Sequence, residues 1–303
     1  MNKSDLGHLE MNQNISEAMG FLCEIFDPSH GRFSWGEYLP DVFDQVWTWK
    51  LNNKIVAGLL TREFETISGA RGIAIGMVGT GKEYRGKGYG SLLVKSVLDA
   101  HKAENTSFAV LWARAPLVPF YEKLGFCTVQ GEDDCLLDPL EDEPQKSVRL
   151  RFEDLNSVTH IAFDNLRIKF NKNYALKFNY ETVRRHFKKD KWDGISGSRG
   201  CEFGILFSGT PGLPEFYAII GYNGRPPAII EFIGSREQFQ QTLNWVRKNL
   251  EPLPISYSLT SPHSEMLLKN VRTISRDLNF HSMVHALKSD NLKIPITTWI
   301  DRI

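Results

Sequence analysis

The sequence predicts a mixed α/β (α+β) fold with a mixed sheet, divided into two domains over residues 1–140 and 148–303. Three observations carry that reading. The chain has 303 residues, and domains of ~150 residues make two units the default. Its first 130 residues alternate strand and helix patterns, with a strand, a Gly-rich turn, a helix and a strand in succession. That order is a βαβ unit, so part of the sheet should be parallel. Residues 131–145, GEDDCLLDPLEDEPQ, then carry seven acids and two prolines, which predicts an exposed connection before a second set of elements.

The elements follow in order. Asn14 caps a predicted helix over 14–26, with Ile15, Met19, Leu22, Ile25 and Phe26 at helical spacing. Residues 46–51 and 54–61 flank Asn52-Asn53 as a hairpin, and 72–80 read as a buried strand. A helix over Ser91–Lys102 presents Leu92, Leu93, Val97 and Leu98 as its stripe, and 107–112 form the next strand. In the second half, helices are predicted at 154–169, 180–189, 235–249 and 264–278, and strands at 202–208, 216–222 and 227–232. Asn223-Gly224 is the hairpin cue between the last two strands. The basic run Arg184–Lys189 reads as a solvated helix face.

Composition excludes several function classes. Lys+Arg and Asp+Glu both number 36, so no broad electrostatic footprint for nucleic acid or an anionic membrane is predicted. No apolar run approaches the roughly 18 residues of a spanning helix. The start, MNKSDLGHLEMNQ, has no apolar core of a secretory signal, so the expected location is cytoplasmic. Cys23, Cys127, Cys135 and Cys201 include no CxxC pair, which argues against a disulfide framework or zinc ribbon.

The chemistry concentrates in MVGTGKEYRGKGYGS, residues 77–91. Gly86, Gly88 and Gly90 lie between a strand and an amphipathic helix. Glycines allow positive φ and close backbone approach, and a helix N-terminus presents unpaired N–H groups and a partial positive charge. The turn is therefore an anion site suited to phosphate or pyrophosphate, with Arg85 and Lys87 adding charge. Gly81-xxxx-Gly86-Lys87 nearly spells a Walker A loop, but Gly88 stands where a Mg²⁺-binding hydroxyl is needed. The dinucleotide fingerprint GxGxxG fails on spacing. An acyl-CoA loop, Arg/Gln-x-x-Gly-x-Gly/Ala, is matched throughout by Arg85–Gly90. A second cluster follows 30 residues on: Pro119-Phe120-Tyr121-Glu122-Lys123-Leu124-Gly125-Phe126.

With RGKGYG and FYEKLGF in this order, separated by a strand, residues 10–130 resemble the GNAT superfamily of N-acetyltransferases. MVGTGKEYRGKGYG is similar to a subgroup that often adds a second, degenerate GNAT-like domain, a layout shared by acyltransferases of the enhanced-intracellular-survival type. Residues 217–220 and 230–234 fit such a half, which lacks an RxxGxG loop. The resemblance implies a catalytic GNAT domain over 1–140 and a degenerate one over 148–303. Arg114 and Leu117 depart from the Asn and Ala common in relatives, and Pro119 shortens the helix of the second motif.

The resemblance also implies an activity: transfer of an acetyl group from acetyl-CoA to a primary amine of a small molecule or peptide, by direct attack in a ternary complex. Val78, Gly79 and Thr80 would offer backbone to the pantetheine arm. Arg85, Gly86, Lys87, Gly88, Tyr89, Gly90 and Ser91 would hold the pyrophosphate. Tyr121 would be the general acid that protonates the leaving thiolate, the bland alternative being a packed aromatic. Glu63, Glu65, Glu231, the Ile303 carboxylate and water are the candidates for the base, Glu231 being alternatively the partner of an Arg. The alternative functions are a non-catalytic acyl-CoA-binding regulator and an acyltransferase for proteins or other acyl groups. Partners are the amine acceptor and, as an option, a second copy of the chain, with neither nucleic acid nor membrane. His281 and His285 read as two imidazoles on one helical face, but without a third ligand no metal is expected. Trp35, Trp47 and Trp49 read as cleft or core aromatics, and Cys127 as a small core residue.

Overall fold

The computed structural model describes residues 7–12, 15–26, 43–66, 69–138, 150–154, 160–171, 202–222, 227–250, 255–259 and 272–287. In chain order the elements are β1 (His8–Asn12), α1 (Ile15–Phe26), β2 (Gln45–Leu51), β3 (Lys54–Glu65), β4 (Arg71–Thr80), α2 (Tyr89–Ala103), β5 (Phe108–Arg114), α3 (Val118–Glu122) and β6 (Cys127–Asp138). The second half continues with β7 (Arg151–Asp154), α4 (His160–Asn171), β8 (Glu202–Thr210), β9 (Leu213–Tyr222), β10 (Ala228–Ile233), α5 (Arg236–Asn249), β11 (Ile255–Leu259) and β12 (Arg272–Ala286).

One twelve-stranded sheet runs β1-β2-β3-β4-β5-β12-β6-β11-β10-β9-β8-β7. The order is a palindrome: β1 to β5 on one side correspond to β7 to β11 on the other. Each half contains one parallel pair, β4 with β5 and β10 with β11. Each of those pairs is bridged by a helix, α2 or α5. The final strands interlock at the centre. β12 lies between β5 and β6, and β6 lies between β12 and β11.

Local chemistry explains the well-formed elements. The β2–β3 hairpin turns on Asn52 and Asn53, both at positive φ (50° and 61°), as a two-residue turn of matching twist requires. Helix α2 buries Leu93, Val94, Val97, Leu98 and His101, whereas Leu92 is exposed; three of the four expected stripe residues are thus covered, with Val94 in place of Leu92. Its buried face meets Trp47, Leu59, Ile73, Ile75, Leu111 and Ala113 of the sheet, and Met283 and Leu287 close the same core from the far end of the chain. Helix α5 covers Leu206, Phe216, Ala218, Ile220, Ile229 and Phe232 in the second half.

Several sequence expectations fail. Residues 131–138 form the inner part of β6 instead of an exposed connection, because pairing on both sides outweighs the low strand propensity of an acidic segment. Residues 272–278 are strand β12 where a helix was expected. Register shifts at Thr273/Ser275, Leu278/Phe280 and Ser282/Met283 break the alternation that would have marked it as a strand. His281 and His285 consequently sit on this strand and share no helical face. Asp154, expected to open a helix, instead closes strand β7, and Cys127 is exposed. The 180–189 helix, the Asn223-Gly224 turn, Asn14, Trp35, Cys201 and Ile303 lie outside the described residues.

Candidate active site

Strands β4 and β5 pair only over Gly72–Ala74 and Phe108–Val110. Beyond that they part, because β4 follows β3 as far as Thr80 while β5 follows β12 along its whole length. A bulge accentuates the divergence. Between Gly58 and Leu60 the β3 register jumps from Gly79 to Gly76, and Met77 sits at φ 53°. A non-glycine residue in that region is an uncommon backbone state that concentrates at functional sites. The end of β4, with Val78, Gly79 and Thr80, therefore carries peptide groups that no β5 ladder satisfies.

The chain leaves this V through a tight turn. Gly81 N–H donates to the Val56 carbonyl (3.0 Å), and Tyr84 N–H to the Gly81 carbonyl (2.8 Å). Gly86 (φ 75°) and Gly88 (φ 85°) hold the left-handed turn, and Gly88 is the N-cap of α2 with no side chain to cap the first-turn N–H groups. A Cβ at either glycine would meet nothing within 4 Å, whereas one on Gly90 would lie 2.9 Å from Thr80 Oγ1. Two glycines thus serve backbone conformation, and the third allows helix and strand to approach. Arg85, Lys87 and the α2 N-terminus bring positive charge here, and the first turn of the helix holds no acid. Arg85 Nε donates to the Thr80 carbonyl at 3.2 Å, tying the loop to the open strand. Lys87 lies over the Tyr84 ring, 5.5 Å from its centroid.

The corresponding helix of the second half is sealed. Ser235 caps α5, its Oγ accepting from Gln238 N–H (3.3 Å), while Gln238 Oε1 accepts from Ser235 N–H (2.8 Å). This capping box satisfies the groups that α2 leaves open, and Glu237 adds negative charge to the first turn.

Tyr121 lies on α3, a five-residue helix with Pro119 in its first turn. It is buried between Phe120 (centroids 4.9 Å apart) and Phe126 (5.9 Å), both edge-on. Burial pushes its phenol up to about 12, because an apolar site disfavours the phenolate. Phe120 also reaches to 3.9 Å from the Cβ direction of Gly90, so the two motifs converge. The turn after Tyr121 needs Gly125 at φ 90°, and His285 Nδ1 is 2.8 Å from the Gly125 carbonyl. His285 stacks on Phe126 as well, at 5.3 Å. Sequence reading missed this contact, since its only cue was a histidine misassigned to a helix.

Glu63, Glu65 and Glu231 are not brought to the site. Glu231 meets Arg167 in a buried pair at 2.8 Å, beside Tyr217 Oη at 3.4 Å from Arg167 Nε. Glu63 pairs with Arg71 at 3.1 Å and is opposite Ile73, at the closed end of the β4–β5 pair. Glu65 lies further along β3, opposite Arg71. Trp47 belongs to the core, donating from Nε1 to Thr61 Oγ1 at 2.9 Å, and Trp49 packs at the edge of that core.

Residues 15–126 match the family model for the Acetyltransferase (GNAT) family. No curated protein matches the chain in sequence. A GCN5-related N-acetyltransferase from Anabaena variabilis ATCC 29413 is similar in structure, with TM-score 0.70 and 14% identity over 93% of this chain and 73% of that one. A probable N-acyltransferase from Enterococcus faecalis V583 gives TM-score 0.69 and 13% identity over 93% and 73%. A tandem GNAT protein from the clavulanic acid biosynthesis pathway covers 94% of this chain and 100% of its own, with TM-score 0.51 and 12% identity. At such identities the likeness is one of fold. Among the described residues, no helix is long and apolar enough to cross a membrane.

Proposed function

From the premise that this is a GNAT-family chain, its family domain spanning residues 15–126, we propose that it transfers the acetyl group of acetyl-CoA to a primary amine of a small molecule or peptide. The observation that carries the reading is the β4–β5 opening that ends in the uncapped, glycine-held N-terminus of α2. Peptide groups of Val78–Thr80 would pair with the pantetheine amides as a missing strand would. The N–H groups from Arg85 to Ser91 would hold the pyrophosphate, since a helix N-terminus stabilises an anion both by donors and by its dipole. Residues 1–140 form the catalytic domain in this reading and 148–303 the degenerate one, whose capping box leaves no second pyrophosphate site.

Tyr121 is the general acid. Attack of the amine on the thioester carbonyl forms the C–N bond, and collapse breaks C–S and expels a thiolate. The phenol gives that thiolate its proton. A phenol at about 12 stays protonated across the working range, so it is always loaded for this step. The attacking amine loses its proton to water, as Glu63 and Glu231 are held in ion pairs elsewhere. The chain acts in the cytoplasm, where acetyl-CoA is supplied.

Calorimetric titration with acetyl-CoA, followed by thiol release over a panel of small and peptide amines, tests the proposal. The expected result is one equivalent per chain and amine-dependent release. Binding without release over the panel would make the chain an acyl-CoA sensor, and two equivalents would overturn the degenerate assignment.

A further inference from the structure

We propose that Glu63, His101 and Glu104 form a site for a divalent transition-metal ion, with Zn²⁺ the best match in ligand chemistry. One ligand atom from each of the three residues lies within 4.8 Å of the others. His101 is on the last turn of α2, its side chain 1% exposed, and neither ring nitrogen has a hydrogen-bond partner. An imidazole that is buried without partners is costly unless something else takes its lone pair. The packing of its ring is preset: Trp47 meets it edge-on at 5.5 Å, and Trp47 is itself anchored to Thr61.

The spacing favours coordination over a direct contact. His101 Nδ1 is 3.4 Å from Glu104 Oε2, beyond the usual N–H···O range of about 2.7–3.2 Å. Two ligands bound at ~2.0–2.1 Å to a tetrahedral Zn²⁺ lie ~3.3–3.4 Å apart. Glu63 comes from the end of β3, and Arg71 holds one of its oxygens at 3.1 Å. That contact orients the carboxylate as outer-shell partners do around bound metals. Glu63 and Glu104 have side chains 42% and 59% exposed, with room to close from 4.8 Å by the ~1.4 Å that tetrahedral coordination needs. The negative end of the α2 dipole also favours a cation.

An imidazole with two carboxylates suits Zn²⁺ better than the all-oxygen preference of Mg²⁺ or Ca²⁺. The site lies at the opposite end of α2 from Gly88, ~20 Å away for a 15-residue helix. A bound ion would tie that end of the helix to β3, a structural role separate from acyl transfer.

The test uses chelator-stripped full-length protein and ZnCl₂ alone, without cofactor. Calorimetry should give one equivalent per chain, and thermal melting should shift upward with Zn²⁺. Glu104→Gln and Glu63→Gln alter exposed side chains and keep the fold, and each should weaken Zn²⁺ at least tenfold and reduce the melting shift. Co²⁺ should give the intense visible absorption of a tetrahedral site in the parent and not in Glu104→Gln. Absence of saturable binding would overturn the proposal. So would Zn²⁺ binding of equal affinity in the parent and both variants, which would place the ion elsewhere.

Discussion

Substituting Gly88 separates backbone conformation from space at the anion site. Its φ is 85° and ψ is −1°, and a Cβ built there meets nothing within 4 Å. The methyl of Gly88→Ala therefore meets no protein atom, and its effect on the protein itself is backbone strain. For an L-residue the left-handed region is disfavoured by ~1–2 kcal/mol. The chain can retain the conformation and lose that much stability, which for a domain of this size lowers Tm by a few degrees. Alternatively it can rotate the peptide unit and turn the first α2 N–H groups away from the ligand. In that case the same energy appears as a loss of ~5–30-fold in acetyl-CoA affinity. Gly88→Asn should recover part of either loss, because Asn tolerates the left-handed region better. Gly20→Ala is the control: this glycine lies within α1 with nothing within 4 Å, so Ala should be neutral or stabilising by up to ~1 kcal/mol. The assay is calorimetric titration with acetyl-CoA beside thermal melting of each variant. Parental Kd and parental Tm in Gly88→Ala would refute the reasoning, because the left-handed cap would then carry no energy.

Four further outcomes follow from the geometry. Tyr121→Phe keeps the ring between Phe120 and Phe126 and should lower kcat at least roughly tenfold with little change in acetyl-CoA Kd; an unchanged kcat with chemistry rate-limiting would leave Tyr121 as packing. Since its phenol is pushed up to about 12, the proton stays on as pH rises through 10, so parental kcat should not fall between pH 8 and 10, and a fall that disappears in Tyr121→Phe would contradict the raised value. Arg167→Met removes the buried guanidinium that faces Glu231 and should destabilise by ~3–5 kcal/mol in urea unfolding, while Arg167→Met combined with Glu231→Leu should recover most of the loss; equal midpoints for single and double variants would contradict this. A fragment ending at residue 149 lacks β12 and leaves the facing edges of β5 and β6 unpaired, so it should aggregate or lose its cooperative melting transition.

Much of the first half was legible in the sequence because its signals are local. Asn52-Asn53, Gly86 and Gly88 announce positive φ wherever they fall, and the period of α2 marks a buried face. These are decisions made among residues a few positions apart, where sterics and hydrogen bonding act regardless of the rest of the chain. The phase of that face was already less certain, since Leu92 and Val94 are equally apolar and only the sheet beneath decides which is covered.

What the tertiary structure alone decided is of longer range. The acidic part of β6 is a strand because β11 and β12 pair with it on either side, and the first part of β12 is one because it pairs with β6, not because of their own propensities. Glu231 proved to be the partner of Arg167, 64 residues away, and the turn after Tyr121 is backed by His285, 160 residues beyond Gly125. Composition and spacing suggested an exposed connection from residue 131, where residues 131–138 instead continue strand β6. Spacing along the chain carries no record of such contacts: their energy comes from desolvation and pairing that exist only once distant segments have been brought together.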